Sequence, residues 1–158
     1  MKNLDQTQPS PLSHEFFVKQ VNGSLVGELF HQHTLIKAFV KNPPKETTIL
    51  NNWLEELVRK IGMKIVIGPF SHYVSACGNS GLTGGVIIET SHCSIHVWDE
   101  PSPAMIQFDV YSCSHYETAI IIDHLNVFGL VSYELLAIDR NEDLKVIDHR
   151  VVTLNNNY

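Results

Sequence analysis

The chain has 158 residues, of which 44% are hydrophobic and 18% are charged. These values are typical of one soluble domain, and no apolar run approaches the ~20 residues needed to cross a bilayer. Without such a run we expect no membrane partner, and the net charge of −6 argues against a phosphate-binding surface, so we expect no nucleic acid partner. Three cysteines without a CxxC pair favour reduced thiols in the cytoplasm.

The first half of the chain predicts a helix between strands. Residues 1–13 are polar, carry two prolines and predict a loose leader rather than a secretory signal. A helix should begin at Thr47 or Thr48 and end near Ile61, because six apolar residues share one face. They are Ile49, Leu50, Trp53, Leu54, Leu57 and Val58. The other assignments are a strand at 14–21 with a turn at Asn22-Gly23, no clear period over 24–40, a strand at 63–68 and a loop over 69–83.

The second half predicts further strands and one more helix. The assignments are a strand, an interruption and a strand within 84–98, a strand at 104–113, a helix at 116–128 and a last strand at 131–139. This order predicts an α/β two-layer sandwich, with a mainly antiparallel sheet and helices on one face. We expect residues 1–158 to form a single domain, and a homodimer to cover the exposed sheet face or edge.

Reactive side chains are concentrated between residues 81 and 113. They are the hydroxyls of Thr83, Thr90 and Ser91, the imidazoles of His92 and His96, the carboxylate of Glu100 and the thiol of Cys113. These residues can also have ordinary structural roles. A cysteine at a strand end, for example, is more often a small core residue than a catalytic one. Another alternative is a zinc site formed by His92, His96 and Cys113. The His-Gln-His at 31–33 is interpreted as a solvated surface pair.

This segment resembles the prokaryotic S-adenosylmethionine decarboxylases. That family carries a Gly-x-Ser-Gly turn, a strand ending in Glu-Ser-His, an Ile-His-Thr-Trp-Pro-Glu segment and an Asp-x-x-x-Cys strand. The matching stretches here are Gly81-Leu82-Thr83-Gly84, Ser91-His92, Ile95-His96-Val97-Trp98-Asp99-Glu100 and Asp109-Val110-Tyr111-Ser112-Cys113. The spacings from Thr83 to Ser91 and from Ser91 to His96 also match.

The resemblance implies a chain that makes its own cofactor. The Ser91 hydroxyl would attack the carbonyl of Thr90, and the chain would cut itself between these residues to leave a pyruvoyl group at position 91. That group would form a Schiff base with the substrate and accept electrons during decarboxylation. Thr83 and His96 would assist processing, and Cys113 would protonate the substrate carbon. The product would feed polyamine (spermidine) synthesis.

The resemblance also implies how the substrate is bound. Glu100 matches the glutamate that binds the ribose, and Phe70 and Tyr73 are candidates for an aromatic pair that sandwiches the adenine. No metal is implied, and the processed protomers would form a homodimer that brings parts of the active site together from two subunits.

The sequence departs from the family pattern at several positions. Thr90 replaces the usual Glu or Lys before the cleavage serine, and Thr83 replaces the turn serine. There are about two extra residues between Glu100 and Cys113, and a further insertion at about 24–44. These differences leave two alternatives open: a pyruvoyl-dependent ornithine or arginine decarboxylase of the same family, and an unprocessed relative without catalytic activity.

Overall fold

The computed structural model describes residues 18–21, 24–27 and 30–154. The predicted leader, the beginning of the first predicted strand and the turn at 22–23 lie outside these residues. The elements are β1 Val18–Val21, β2 Ser24–Gly27, β3 Gln32–Val40, α1 Thr47–Lys60, β4 Ile65–Val74, β5 Gly81–Ile88, β6 Ser91–Trp98, β7 Ala104–Ser112, α2 Thr118–Leu125, a 3-10 turn Asn126–Phe128, β8 Leu130–Asp139 and β9 Lys145–Thr153.

Seven of the strands form one antiparallel sheet. Their order is β4-β5-β6-β7-β3-β8-β9, and β1 and β2 pair separately as a two-stranded hairpin. β3 lies in the interior of the sheet, with β7 on one side and β8 on the other. The predicted two-layer α/β sandwich with a mainly antiparallel sheet is confirmed.

Both helices cover the same face of this sheet. The Trp53 ring of α1 packs edge-on against Phe108 of β7, with ring centroids 5.3 Å apart. Trp53 Nε1–H donates to the His124 carbonyl of α2 at 3.1 Å, and His124 Nε2 lies 2.9 Å from the Trp53 carbonyl. The two helices are therefore joined to each other above a common core.

The predicted apolar face of α1 is buried except at its margin. Leu50, Trp53, Leu54, Leu57 and Val58 are buried, but Ile49 is 50% exposed. Ile49 lies about 100° around the helix from Leu50, so it marks the edge of the apolar stripe.

Among the described residues, no helix covers the opposite face of the sheet. Side chains on β3, β6 and β7 alternate between the two faces, so residues such as Leu35, Lys37, His96 and Gln107 point away from the helices and are exposed. We call this the open face. Neither described helix has the length and apolar character that a membrane crossing requires.

Two predictions about strands were wrong. The strand predicted at 63–68 continues to Val74, through part of the region predicted as a loop. The predicted boundary falls between Gly68 and Pro69, but β4 is an edge strand whose register shifts on both sides of Ile67 accommodate these residues. The strand predicted as the last one is followed by β9, which pairs antiparallel with β8.

Candidate active site

The predicted cleavage bond lies in the tight turn between β5 and β6. Glu89 and Thr90 form this turn, and Ser91 is the first residue of β6. The φ angle of Ser91 is 150°, which makes it the one non-glycine residue with a positive φ in the described part of the chain. Such backbone conformations cost on the order of 1–3 kcal/mol and are found where function requires them. The strain therefore lies next to the bond expected to break.

The carbonyl of the same bond has a backbone donor. The Cys113 N–H donates to the Thr90 carbonyl oxygen at 3.0 Å, just beyond the end of β7. In the β6–β7 ladder Ser91 faces Ser112, so Cys113 is held opposite Thr90 by the strand register. The extra residues after Glu100 fall in the β6–β7 connection and leave this register intact.

Cys113 is half-buried, and its backbone hydrogen bond to Thr90 places the residue next to the candidate cleavage site. The other cysteine of this part of the sheet, Cys93, is 1% exposed, and burial raises its pKa to about 12. A buried thiol with a raised pKa is a core residue, so of these two thiols Cys113 is the one placed for chemistry.

Thr83 and His96 form a second polar pair on the open face. They lie opposite each other on β5 and β6, and Thr83 Oγ1 is 2.9 Å from His96 Nδ1. The prediction that Thr83 lies in a tight turn was wrong, because Thr83 is inside β5. The flanking glycines serve close strand packing instead: a Cβ at Gly81 would lie 1.9 Å from the Val97 carbonyl oxygen, and one at Gly84 would lie 2.7 Å from that of Phe70.

This pair is distant from Ser91 within one chain. His96 follows Ser91 by five residues along β6, which separates their Cα atoms by about 16 Å at the rise of an extended strand. The described chain therefore does not bring the Thr83–His96 pair to its own Thr90–Ser91 bond.

A cluster that the sequence did not predict surrounds Asp109 on the open face. Its carboxylate lies 3.5 Å from His33 Nε2 and 3.7 Å from His92 Nε2, and it accepts a hydrogen bond from Ser94 Oγ. Burial lowers the pKa of His33, although the nearby Asp109 acts in the opposite direction. Tyr111 packs against both imidazole rings.

The interpretation of 31–33 as a solvated pair was wrong. Both histidines are only partly exposed, and His31 Nδ1 lies 2.8 Å from the Tyr111 hydroxyl. The signal in the sequence was their spacing of two, which places alternate side chains of one extended segment on the same face.

Comparisons with known proteins agree on one family. A model of the family described as S-adenosylmethionine decarboxylase matches residues 32–141. The chain belongs to this family. Over 70 residues it is 33% identical to the S-adenosylmethionine decarboxylase proenzymes of Clostridium botulinum strains Hall and Langeland, a match that covers 44% of this chain. The chain spans 55% of the length of these relatives.

A solved structure supports the family fold. The crystal structure of the adenosylmethionine decarboxylase from Aquifex aeolicus VF5 aligns with a TM-score of 0.57 and 21% identity. The alignment covers 75% of this chain and 98% of that structure. At this identity the likeness shows the shared fold.

The residues expected by family resemblance to bind substrate do not all meet. Phe70 pairs with Gly85 and Tyr73 with Leu82, and this odd spacing places the two rings on opposite faces of β4. Phe70 lines an open cleft of about 510 Å³ together with Thr83, His92 and His96. The Tyr73 hydroxyl instead donates to the Asp99 carboxylate at 3.1 Å. The two rings cannot sandwich one adenine within a single chain.

Positions along β6 bear on Glu100 and on the zinc alternative. Glu100 is exposed in the connection after β6, four residues beyond His96. His92 and His96 share the open face as expected, but they lie about 13 Å apart along the strand, too far for one zinc ion. No group of three or more metal-ligating side chains in the described part of the chain is placed to hold a metal ion, so His92, His96 and Cys113 do not form the alternative zinc site.

Proposed function

We propose that this chain cuts itself between Thr90 and Ser91 and then decarboxylates S-adenosylmethionine with the resulting pyruvoyl group. The observation that carries the proposal is the positive φ of Ser91 next to a Thr90 carbonyl held by the Cys113 N–H. A strained backbone next to a polarised carbonyl is the starting point that attack by a neighbouring hydroxyl requires. The fit of these residues to a self-derived cofactor rests on this geometry.

Each residue of the site has a distinct task in this proposal. Ser91 supplies the attacking oxygen, and the Cys113 N–H stabilises the negative charge that develops on the Thr90 carbonyl oxygen. A pyruvoyl group, once formed, supplies an electrophile and an electron sink for the electrons left by the departing carboxylate. The thiol of Cys113, beside position 91, donates the proton to the substrate carbon.

The Thr83–His96 pair acts, in this proposal, on the site of a second copy. The separation of about 16 Å from its own Ser91 makes one chain incomplete. The open face exposes the apolar side chains of Leu35, Phe70 and Ile87, a pattern typical of a surface that another protein covers. A homodimer joined through this face would bring both halves of the site together, and two-fold symmetry would create two sites per dimer.

The substrate enters through the open-face cleft. Phe70 offers one aromatic face for the adenine. Glu100, just beyond the end of β6 that carries His96, offers a carboxylate that accepts hydrogen bonds from the two ribose hydroxyls. The product would then enter polyamine synthesis, in keeping with a cytoplasmic protein.

The separation of Phe70 from Tyr73 favours a second candidate. A site with one aromatic ring requires no adenine, so ornithine or arginine would be decarboxylated through the same pyruvoyl group. A non-catalytic relative would show neither cleavage nor decarboxylation.

Release of labelled carbon dioxide separates these candidates. The purified chain is incubated with S-adenosylmethionine, ornithine or arginine, each labelled in the carboxyl group, and a Ser91→Ala chain serves as the matched control. We expect release from S-adenosylmethionine and none from the control. Release from ornithine or arginine alone would overturn the proposed substrate. Release from none of the three would overturn the proposal that the chain is a decarboxylase.

A further inference from the structure

A hydroxyl, an imidazole and a carboxylate are aligned at the predicted cleavage bond. Ser91 Oγ lies 3.1 Å from His92 Nδ1, and His92 Nε2 faces Asp109 Oδ2 at 3.7 Å. The same order of groups activates hydroxyl nucleophiles on unrelated folds, because the imidazole accepts the hydroxyl proton and the carboxylate orients the ring. We propose that His92, positioned by Asp109, is the general base that deprotonates Ser91 during self-cleavage. This inference rests on the proposed function.

The orientation of the His92 ring suits a base. Nε2 is the ring nitrogen nearer the Asp109 carboxylate, and a neutral ring that carries its proton there presents the lone pair of Nδ1 to the Ser91 hydroxyl. Of the described side chains, His92 is the one that hydrogen-bonds with Ser91 Oγ. His96, the other imidazole of β6, is about 16 Å from Ser91 in the same chain.

Asp109 is itself fixed in place. Ser94 Oγ donates to one carboxylate oxygen, and the other oxygen faces both His33 Nε2 and His92 Nε2. The edge of the His92 ring meets the Tyr111 ring, with centroids 5.9 Å apart, and the Arg140 guanidinium stacks on Tyr111 at 4.1 Å. These contacts limit the rotation of His92 and Asp109 away from Ser91.

The step assigned to His92 conserves atoms and charge. The proton leaves Ser91 Oγ for His92 Nδ1 as the oxygen bonds to the Thr90 carbonyl carbon. The bond between that carbon and the Ser91 nitrogen then breaks, and the nitrogen takes the proton from His92. An ester replaces the peptide bond, no redox partner is involved, and the Cys113 N–H stabilises the oxygen that carries the transient negative charge.

Cell-free synthesis followed by denaturing mass spectrometry tests the inference. The conversion of the intact chain into fragments 1–90 and 91–158 is timed for the wild-type chain, His92→Gln and His115→Gln. His115 is the matched control, because its Nε2 also faces a carboxylate, that of Glu117 at 3.6 Å, but it lies outside the cleavage turn. We expect His92→Gln to be cut about 100-fold more slowly and His115→Gln to be cut at the wild-type rate.

Chemical rescue distinguishes a base from a structural residue. Added imidazole should accelerate cleavage of a His92→Gly chain, and Asp109→Glu should be cut faster than Asp109→Asn because it keeps the carboxylate. Circular dichroism of the same samples confirms that the variants are folded. A folded His92→Gly chain that imidazole does not accelerate overturns the role of base.

The two proposals fail in different ways. A wild-type chain that stays uncut overturns the proposed function and the inference with it. A wild-type chain that is cut while His92→Gln is cut equally fast overturns only the inference and leaves the proposed function standing.

Discussion

Cleavage of one chain should depend on His96 of another chain. Within a chain the five residues from Ser91 to His96 span about 16 Å, whereas a group that transfers a proton must come within about 3 Å of its target. A symmetric dimer joined through the open face can close this gap twice, once for each site.

Two complementary variants measure this dependence. A His96→Ala chain keeps Ser91 but lacks the imidazole that assists cleavage. A Ser91→Ala chain keeps that imidazole but cannot be cut. We expect each chain expressed alone to remain uncut. Coexpressed in equal amounts and paired at random, about half of the His96→Ala chains should join a Ser91→Ala partner and be cut.

An affinity tag on one chain gives the two chains different masses, so denaturing mass spectrometry reports the cut fraction of each. Native mass spectrometry of the uncut species confirms that mixed dimers form. If mixed dimers form and the His96→Ala chain still stays intact, the assignment of His96 to the second copy is wrong. If the His96→Ala chain alone is cut at the wild-type rate, His96 has no part in processing.

Three further experiments test the site and the core. Cys113→Ala should still be cut, since its backbone N–H remains, but should lose about 100-fold in labelled carbon dioxide release; unchanged release would exclude the thiol as proton donor. In an uncut Ser91→Ala background, Leu54→Ala should lower the free energy of unfolding in urea by about 2–5 kcal/mol, because Leu54 is fully buried, and Ile49→Ala by less than about 1 kcal/mol. Burial lowers the pKa of His124 below its unfolded value of 6.5, so the unfolded chain binds more protons and stability should fall as pH drops below about 6.5. His124→Gln should reduce that fall in urea titrations at pH 7.5 and 5.5, and an equal fall in both chains would contradict the assignment.

The elements that the sequence predicted well have a single buried face. The apolar stripe of α1 recurs every three to four residues, and the strand–turn–strand around Glu89 and Thr90 has clear boundaries. Local patterns are sufficient there because the core side of each element is apolar and the other side is mostly polar.

The sequence pattern did not predict β3, because both faces of this strand carry apolar residues. Ile36, Ala38 and Val40 face the core, but Leu35 and Phe39 on the open face are also apolar, so the alternation of period two is blurred. An open face that is partly apolar is what a surface shared with a second copy would require. β9 was missed for the opposite reason, because most of its side chains are exposed and charged residues interrupt the apolar ones.

The Asp109 cluster could not be predicted from local sequence. Its members come from three strands that are adjacent only after β3 inserts between β7 and β8. The family motif indicated Ser91 and Cys113, and the register of β6 with β7 explains why Cys113 meets Thr90, the residue before Ser91. The contact between His92 and Asp109 depends on the same register, which no motif spacing encodes.

The intact mass of the purified chain under denaturing conditions tests the central claim most directly. We predict two species, a fragment that ends at Thr90 and a fragment that begins with a pyruvoyl group at position 91, which is lighter by one ammonia than the same fragment beginning with serine. A single species with the mass of the uncut chain would contradict self-cleavage and leave a family member without its cofactor.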